Sequence, residues 1–322
     1  MNKTLKSIII VLVLLSFFTI NVTAEEETIN IVCTNSILAD FTSNLIKENV
    51  SIDYIMPSGV CPAYYDTTPS DVDKIVDADI IISFGSSSME PWLADLLEYN
   101  ENYDLVECKD MGEWNIPSGA KAYAEHLSEG LSKILVEQNQ TIKANADAYL
   151  LEIDKMAETL KNSIETKGYT DTKIISMSWQ KDFLEWLGLN VTYSYGPPQG
   201  LSAQDQLNVI NASNQEDIYV IVDNLQSGTD FGGKVASESG ASHVIFTNFP
   251  GAIPGTDTYL EMIEYNTEQL IKGIETYEYK QGEINTLEGQ INSLETERNM
   301  FLFLFIIFAI LSLVLYVLYK KK

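Results

Sequence analysis

The sequence predicts an α/β fold in which two Rossmann-like lobes with parallel sheets are joined by one long helix and face each other across a ligand cleft. Two features predict it. Short apolar segments alternate with segments of helical periodicity before residue 118 and again after residue 168, which is typical of parallel sheets covered by helices. The stretch between them, 118–168, has only helical periodicity, and its second helix is expected to run for about 28 residues and cross between the lobes.

The first lobe, residues 25–117, is predicted to hold four strands and three helices. Short apolar runs indicate the strands, and apolar residues three and four apart indicate the helices. Ser70 is placed to cap the second helix, and Pro91 is tolerated near the start of the third. In chain order the predicted elements are strand 29–33, helix 36–48, strand 51–56, helix 70–78, strand 78–85, helix 90–100 and strand 103–108.

The second lobe, residues 169–277, repeats this plan. Its predicted elements are strand 173–178, helix 180–188, strand 190–195, strand 217–224, helix 232–240, strand 242–248 and a final helix from 258 to about 277. Ligands of open α/β sheets bind beyond the carboxyl ends of the strands. The cleft between two such lobes is therefore the expected binding site.

The apolar ends of the chain predict a secreted domain tethered by its C-terminus. Residues 1–24 combine lysines, an apolar run and small residues, as in a signal peptide, and the shortness of the run disfavours a permanent anchor. Residues 300–319 carry no charge and are long enough to span a bilayer, whereas a buried core helix would not be apolar on every face. The lysine tail, 320–322, should stay cytoplasmic. The prediction is a single-pass protein of the cell membrane with most of the chain extracellular.

Residues 278–299 predict a helical stalk between the second lobe and this span. Ile284, Leu287, Ile291 and Leu294 are spaced three, four and three apart, which matches the seam of a coiled coil. Two heptads leave two interpretations open. The stalk either pairs with a second chain to form an oligomer or serves as a solvated spacer.

The charge of the chain is strongly negative. Five of its 20 basic residues lie in the terminal segments, so the external part carries 15 basic against 46 acidic residues, a formal net charge of −31. Such a surface disfavours nucleic acid and anionic lipid as partners. It suits the attraction of cations, and it is equally typical of a protein that stays soluble in a salty medium.

Sequons and cysteines also fit an extracellular protein. Sequons at Asn49, Asn139, Asn190 and Asn211 predict a cell-surface glycoprotein. The cysteines number three, and an odd count leaves either one thiol unpaired or all three free.

Five motifs in order carry a resemblance to a known family. They are CTNSILADF, MPSGVCPAYYDTTPSDVDKIVDADIIISFG, EPWLADLL, AKAYAEHLSEGLSKI and GTDTYLEMIEYNTEQLIKGI. Over residues 29 to about 275 the chain resembles the substrate-binding proteins of zinc- and manganese-type ABC importers, the metal-binding cluster A-I. The resemblance implies two α/β lobes joined by a rigid helix, an extracellular metal-ion receptor and an ABC importer permease as partner.

The resemblance also implies four metal ligands, and this sequence replaces each of them. The histidine of the family's P-H-x-Y loop corresponds to Ala63, and the histidine before x-W-L-D-P corresponds to Gly112. The histidine or glutamate after the first strand of lobe two corresponds to Ser178, and the final aspartate to Asn248. Shifting the alignment by one residue at Gly112 or Ser178 restores no histidine. A metal ion is expected from the family, but zinc and manganese need imidazole, carboxylate or thiolate ligands, so metal binding is predicted to be altered or lost.

Other side chains are predicted to line the cleft in place of those ligands. Cys61, Tyr64, Trp114 and Trp179 stand on or beside the four replaced positions. Aromatic faces with an amide suit a small organic molecule. The alternative is that the rings simply pack the lobes together.

The three cysteines support a separate prediction, a soft-metal site. Cys33, Cys61 and Cys108 fall at or near strand ends that emerge on the cleft edge, where thiolates would select a soft ion such as Cu(I). Two alternatives remain. The cysteines are small buried hydrophobic residues, or Cys33 and Cys61 form a disulfide.

Catalysis is not predicted. The sequence has no G-x-S-x-G, H-E-x-x-H, P-loop or dinucleotide motif, and its two histidines, His126 and His243, are interpreted as surface or core residues. Two functions stay open. One is a membrane-tethered solute-binding receptor with a changed ligand, and the other is a surface interaction protein that kept the fold without transport.

Overall fold

Each lobe is built on one four-stranded parallel sheet. The computed structural model describes residues 28–109, 111–215 and 217–321, so the predicted signal peptide, 1–24, lies outside the described residues. The strand orders are β2-β1-β3-β4 in lobe one and β6-β5-β7-β8 in lobe two. Every strand pairing in both sheets is parallel. The predicted fold class of two parallel α/β lobes is confirmed.

The elements follow the predicted alternation closely. The strands are β1 Ile29–Asn35, β2 Val50–Met56, β3 Ile80–Ser83, β4 Asp104–Glu107, β5 Lys173–Met177, β6 Asn190–Tyr195, β7 Val220–Asn224 and β8 Ser242–Phe246. The α-helices are α1 Ser36–Leu45, α2 Pro69–Val76, α3 Leu93–Leu97, α4 Pro117–Ile134, α5 Asn139–Lys167, α6 Ser178–Trp186, α7 Ala203–Ser213, α8 Asp230–Ser239 and α9 Tyr259–Lys320.

Three local details differ from the sequence-based expectation. Thr68, not Ser70, caps α2, because its side chain and that of Asp71 form a reciprocal capping box. Helix α3 has only five residues, about half the predicted length. Helix α7 was not predicted; Ser202 caps it through a second capping box with Asp205.

The long helix between the lobes is confirmed at 29 residues. Helix α5 buries one stripe of side chains, which includes Tyr149, Ile153 and Leu160. It ends at Gly168 in the left-handed conformation, φ 75°, which glycine adopts without steric cost. The stripe belongs to a hydrophobic core that continues from lobe one into lobe two. The lobes are therefore packed against a shared helix rather than linked by a free segment.

Helix α9 is continuous for 62 residues and includes the predicted final helix, stalk and apolar span. Near its start, Asn266 bonds to the amide and carbonyl of Thr247, just beyond the carboxyl end of β8. Further along, the ring of Tyr277 lies 4.6 Å from that of Tyr219, which precedes β7. The helix thus crosses lobe two from the cleft edge of the sheet to the opposite edge and leaves the domain there.

Candidate functional site

A cavity of about 520 Å³ lies between the lobes, at the carboxyl ends of the strands. Phe84 follows β3, Cys108 follows β4 and Asn248 follows β8, so both sheets direct their ends toward it. The lining residues are Cys61, Pro62, Ala63, Tyr64, Phe84, Ser86, Ser88, Met89, Cys108, Met111, Gly112, Glu113, Trp114, Tyr123, Trp179, Pro197, Gln199, Asn224, Gln226, Ser227, Asn248 and Phe249. Its position is the one expected for ligands of open α/β sheets.

The loop after β2 forms one side of the cavity. It contains a 3-10 turn, Pro62–Tyr64, which Trp92 fixes by donating its Nε1–H to the carbonyl of Pro62 at 3.0 Å. Ala63 therefore lies at a well-defined point of the cavity wall but offers only a methyl group. The neighbouring Tyr64 side chain is 70% exposed.

Trp114 joins the two lobes across the inner part of the cavity. Its ring stacks on Phe84 with centroids 4.8 Å apart, and it lies 5.6 Å from the ring of Phe249 in lobe two. Its Nε1–H donates to the carbonyl of Asn248 at 2.8 Å. Trp114 is buried, so it contributes packing between the lobes as well as cavity surface.

Carboxamide side chains form the wall on lobe two. Gln180 donates to Oδ1 of Asn248 at 2.8 Å, and the Asn248 amide N–H donates to Oε1 of Gln226 at 3.2 Å. Gln226 in turn donates across the cleft to the carbonyl of Ser58 at 2.8 Å. A second bond between the lobes runs from the hydroxyl of Ser36 to the carbonyl of Pro250. Asn248 is thus held firmly by both lobes.

The four positions predicted to correspond to the family's metal ligands do not all reach the cavity. Ala63, Gly112 and Asn248 line it, whereas Ser178 begins α6 and is exposed outside the lining, with Trp179 reaching the cavity instead. A methyl group, a hydrogen atom and a carboxamide do not supply the imidazole or carboxylate ligands that zinc and manganese require. The residues present do not fit such an ion.

Glu113 carries the only charged side chain among the cavity-lining residues of the described ranges. Burial and, to a smaller extent, the nearby carboxylate of Asp182 on α6 together raise its pKa to about 7. Glu113 and the glutamines of lobe two were not among the residues predicted from the sequence. The signal was available for Glu113, since it directly follows Gly112, but no pattern in the sequence marks Gln199 or Gln226.

The predicted three-cysteine metal site is not formed. Across residues 28–109, 111–215 and 217–321, no group of three or more His, Cys, Asp or Glu side chains is placed to hold a metal ion. Cys61 and Cys108 line the cavity, but Cys33 is fully buried and contacts the hydroxyl of Thr42 on α1, at 3.8 Å. Burial raises the pKa of Cys33 to about 12 and also raises that of Cys108, which keeps both thiols protonated.

The disulfide alternative is also wrong, because all three cysteines are free. The remaining alternative describes Cys33 and Cys108 well, since both behave as small buried hydrophobic residues. Both histidines lie outside the cavity lining. His126 bonds to the carbonyl of Glu107, and His243 bonds to the carboxylate of Asp223 in the interior of lobe two.

Sequence comparison connects this architecture to known proteins. The family model of ZnuA, "Zinc-uptake complex component A periplasmic", matches residues 31–273. The manganese-binding lipoprotein MntA of Halalkalibacterium halodurans is 25% identical over 278 residues, covering 78% of this chain and 91% of that protein. The iron ABC transporter substrate-binding lipoprotein MtsA of Streptococcus pyogenes serotype M1 is 23% identical over 290 residues, with the same two coverages.

Solved structures show the same fold. A manganese-bound periplasmic metal binding protein from Candidatus Liberibacter asiaticus superposes with a TM-score of 0.65 at 19% identity, covering 77% of this chain and 99% of that chain. A crystal structure of ZnuA gives a TM-score of 0.66 at 15% identity, covering 76% and 99%. At such identities the likeness concerns the arrangement of the two lobes.

Proposed function

We propose a function from one premise: the chain belongs to the ZnuA family of periplasmic zinc-uptake components, the substrate-binding proteins of metal ABC importers. The resemblance predicted from the sequence is thereby confirmed. Members of this family are solute-binding receptors that work with an importer permease. The protein is a membrane-tethered extracellular receptor of this family whose cleft no longer binds zinc or manganese at the family's site.

One observation carries the loss of metal binding. The cavity is present and ordered, yet Ala63, Gly112 and Asn248 stand where the family places ligands. Asn248 is fixed by bonds from Trp114 and Gln180, so it cannot move aside for another donor without breaking them. The cleft therefore keeps the geometry of a receptor with a different set of contacting groups.

Calorimetry of the detergent-solubilised full chain, stripped of metal with chelator, tests this function. Zinc and manganese are each titrated, and no one-to-one isotherm is expected. Asn248→Ala serves as the matched variant, because Asn248 is the polar member of the three cavity positions. A submicromolar one-to-one zinc isotherm that Asn248→Ala abolishes would contradict the proposal.

Tethering is supported by the apolar end of α9. An uncharged window of this helix is long enough to cross a membrane and has no residue buried inside the domain. The related MntA and MtsA are named as lipoproteins, so attachment to a membrane is a shared property reached here by a different anchor. Truncation after residue 299 should move the protein from the membrane to the soluble fraction. A truncated chain that still sediments with membranes would refute the anchor.

A second candidate function is favoured by the direction of α9. The helix leaves lobe two at the edge opposite the cleft, so a straight stalk points the cleft away from the membrane and from a permease within it. This arrangement suits a surface interaction protein without transport. Ligand uptake by cells with and without the gene distinguishes the two functions. Only a transport receptor should make uptake depend on the gene.

A further inference from the structure

Two exposed aromatic rings face the cavity from opposite lobes. Tyr64, on the loop after β2, is 70% exposed, and Trp179, on α6, is 42% exposed. Within the described part of the chain neither ring stacks on another ring, whereas Trp114 and Phe84 stack on each other deeper in the cavity. Exposed rings without partners at the entrance of a cavity offer free π-faces to a ligand.

The charge near these rings has one sign. Glu113 is acidic, and Asp182 lies three residues after Trp179 on α6, close enough to act on the Glu113 carboxyl. Among the described lining residues there is no lysine, arginine or histidine. An anionic ligand would meet only the acidic side chains of Glu113 and Asp182 and no counter-charge, whereas a cation would be attracted by the Asp182 carboxylate, by Glu113 in its ionised form and by the ring faces.

Asn248 offers a hydrogen-bond donor deeper in the site. Asn248 is only 7% exposed and lines the cavity. Its Oδ1, backbone N–H and backbone carbonyl are occupied by Gln180, Gln226 and Trp114, respectively. In the described structure its Nδ2 has no protein partner. A buried amide N–H₂ favours a ligand that brings an oxygen acceptor.

We propose that the cleft binds a small alkylammonium compound that carries one oxygen acceptor, as choline does. The ammonium group lies between the faces of Tyr64 and Trp179 beside Glu113, and the oxygen accepts from Asn248 Nδ2. The volume of about 520 Å³ is in the range of small-molecule sites and far exceeds what a bare metal ion needs. The inference rests on the proposed function, since it fills the cleft that has lost its metal ligands.

The test is calorimetry on the detergent-solubilised full chain, with choline and tetramethylammonium as probes and 3,3-dimethyl-1-butanol as the uncharged isostere of choline. Both cations are expected to bind, and the uncharged alcohol at least tenfold more weakly. Trp179→Ala should weaken both cations about tenfold. Asn248→Ala should weaken choline but leave tetramethylammonium unchanged, because tetramethylammonium has no acceptor.

An exposed ring outside the cavity provides the control. Tyr99→Ala removes an exposed ring (61%) that does not line the cavity, and it should leave both affinities unchanged. Absence of cation binding, equal binding of the alcohol, or an unchanged affinity in Trp179→Ala would overturn the proposal. Zinc titrated into the same sample separates the two conclusions: zinc binding at the cleft defeats the proposed function, whereas failure of the ammonium probes without zinc binding defeats only this inference.

Discussion

The two lobes share one strand order but bring different chemistry to the cleft. In the cavity lining, lobe one contributes the sulfur atoms and most of the rings, including Phe84 and Cys108. Lobe two contributes the carboxamides, including Gln199, Gln226 and Asn248, and the rings of Trp179 and Phe249. Parallel topology determines where side chains emerge, at the carboxyl ends of the strands. It leaves their identity free, so the same fold can carry different side chains at its cleft.

The lobes also differ in how they accommodate a buried carboxylate. In lobe two, both oxygens of the fully buried Asp223 are bonded, one by the hydroxyl of Tyr195 and the other by the ring of His243 at 2.8 Å. In lobe one, Glu90 accepts a long bond of 3.3 Å from the amide of Phe84, while its Oε2 has no partner in the described structure. One carboxylate is therefore part of a fully hydrogen-bonded network, whereas the other is buried with one oxygen unpaired.

The largest effect is expected from breaking the satisfied network. Asp223→Ala leaves the Tyr195 hydroxyl buried without its acceptor and removes the partner of His243, so the free energy of unfolding should fall by about 3 kcal/mol. Chemical denaturation measures it. Asp257→Ala, at an exposed position, is the control and should change stability by less than about 0.5 kcal/mol. Equal effects of the two variants would mean that the network adds no stability.

A pH-dependent effect should distinguish the carboxylate of lobe one. Burial raises the pKa of Glu90 to about 7, so the folded state favours the protonated form. Its contribution to stability is full below the unfolded value near 4.5 and is lost as the pH rises through about 7.

Glu90→Gln should therefore remove part of the pH dependence of stability. Between pH 5 and pH 8 the free energy of unfolding of the unmodified protein should fall by about 2 kcal/mol more than that of the variant. Denaturation curves at both pH values, with the exposed Glu101→Gln as control, measure the difference. Parallel pH profiles for Glu90→Gln and the unmodified protein would show that Glu90 is not strained.

The smallest effect on stability is expected from removing a single hydrogen bond, either one between the lobes or one inside a lobe. Trp114→Phe removes the bond to the Asn248 carbonyl, and Trp92→Phe removes the bond to the Pro62 carbonyl, each at a cost of about 1 kcal/mol. Hydrogen exchange separates them. The first variant should raise exchange in residues 246–250 and the second in residues 61–65. If Trp114→Phe left 246–250 unchanged, the cross-lobe bond would not order that segment.

The order of the elements was predictable because each strand is a short apolar run and most helices bury an apolar stripe. Helix α7 lacks such a stripe. Leu207 on this helix is 52% exposed, and the residues it buries are Val209, Ala212 and Ser213. Its capping box, Ser202 with Asp205, was the remaining signal in the sequence. The apolar periodicity of this segment is therefore too weak to predict the helix, and only the local capping box marks its start.

The site was only partly predictable, because a sequence gives the edge of a sheet but not the direction of each side chain. Ala63, Trp114 and Asn248 follow strand ends and reach the cavity. Cys33 also lies near a strand end, but its side chain points under α1 toward Thr42. Alternation along a strand sends neighbouring residues to opposite faces, so a residue short of the strand end is covered by a helix.

If the apolar span crosses a membrane as proposed, helix α9 also sets the distance between the cleft and that membrane. About 35 residues separate Asn266, at the cleft edge, from Phe301, near the start of the apolar span, and at 1.5 Å per residue they extend about 50 Å. With the span in the membrane, a stiff helix of this length keeps the cleft at a nearly constant distance from the bilayer surface. A lipid anchor on a flexible linker would instead let the distance between the receptor domain and the bilayer vary. Gly282 and Gly289 are the weakest helix formers of the exposed part of this helix. Bending at these two positions would change that distance.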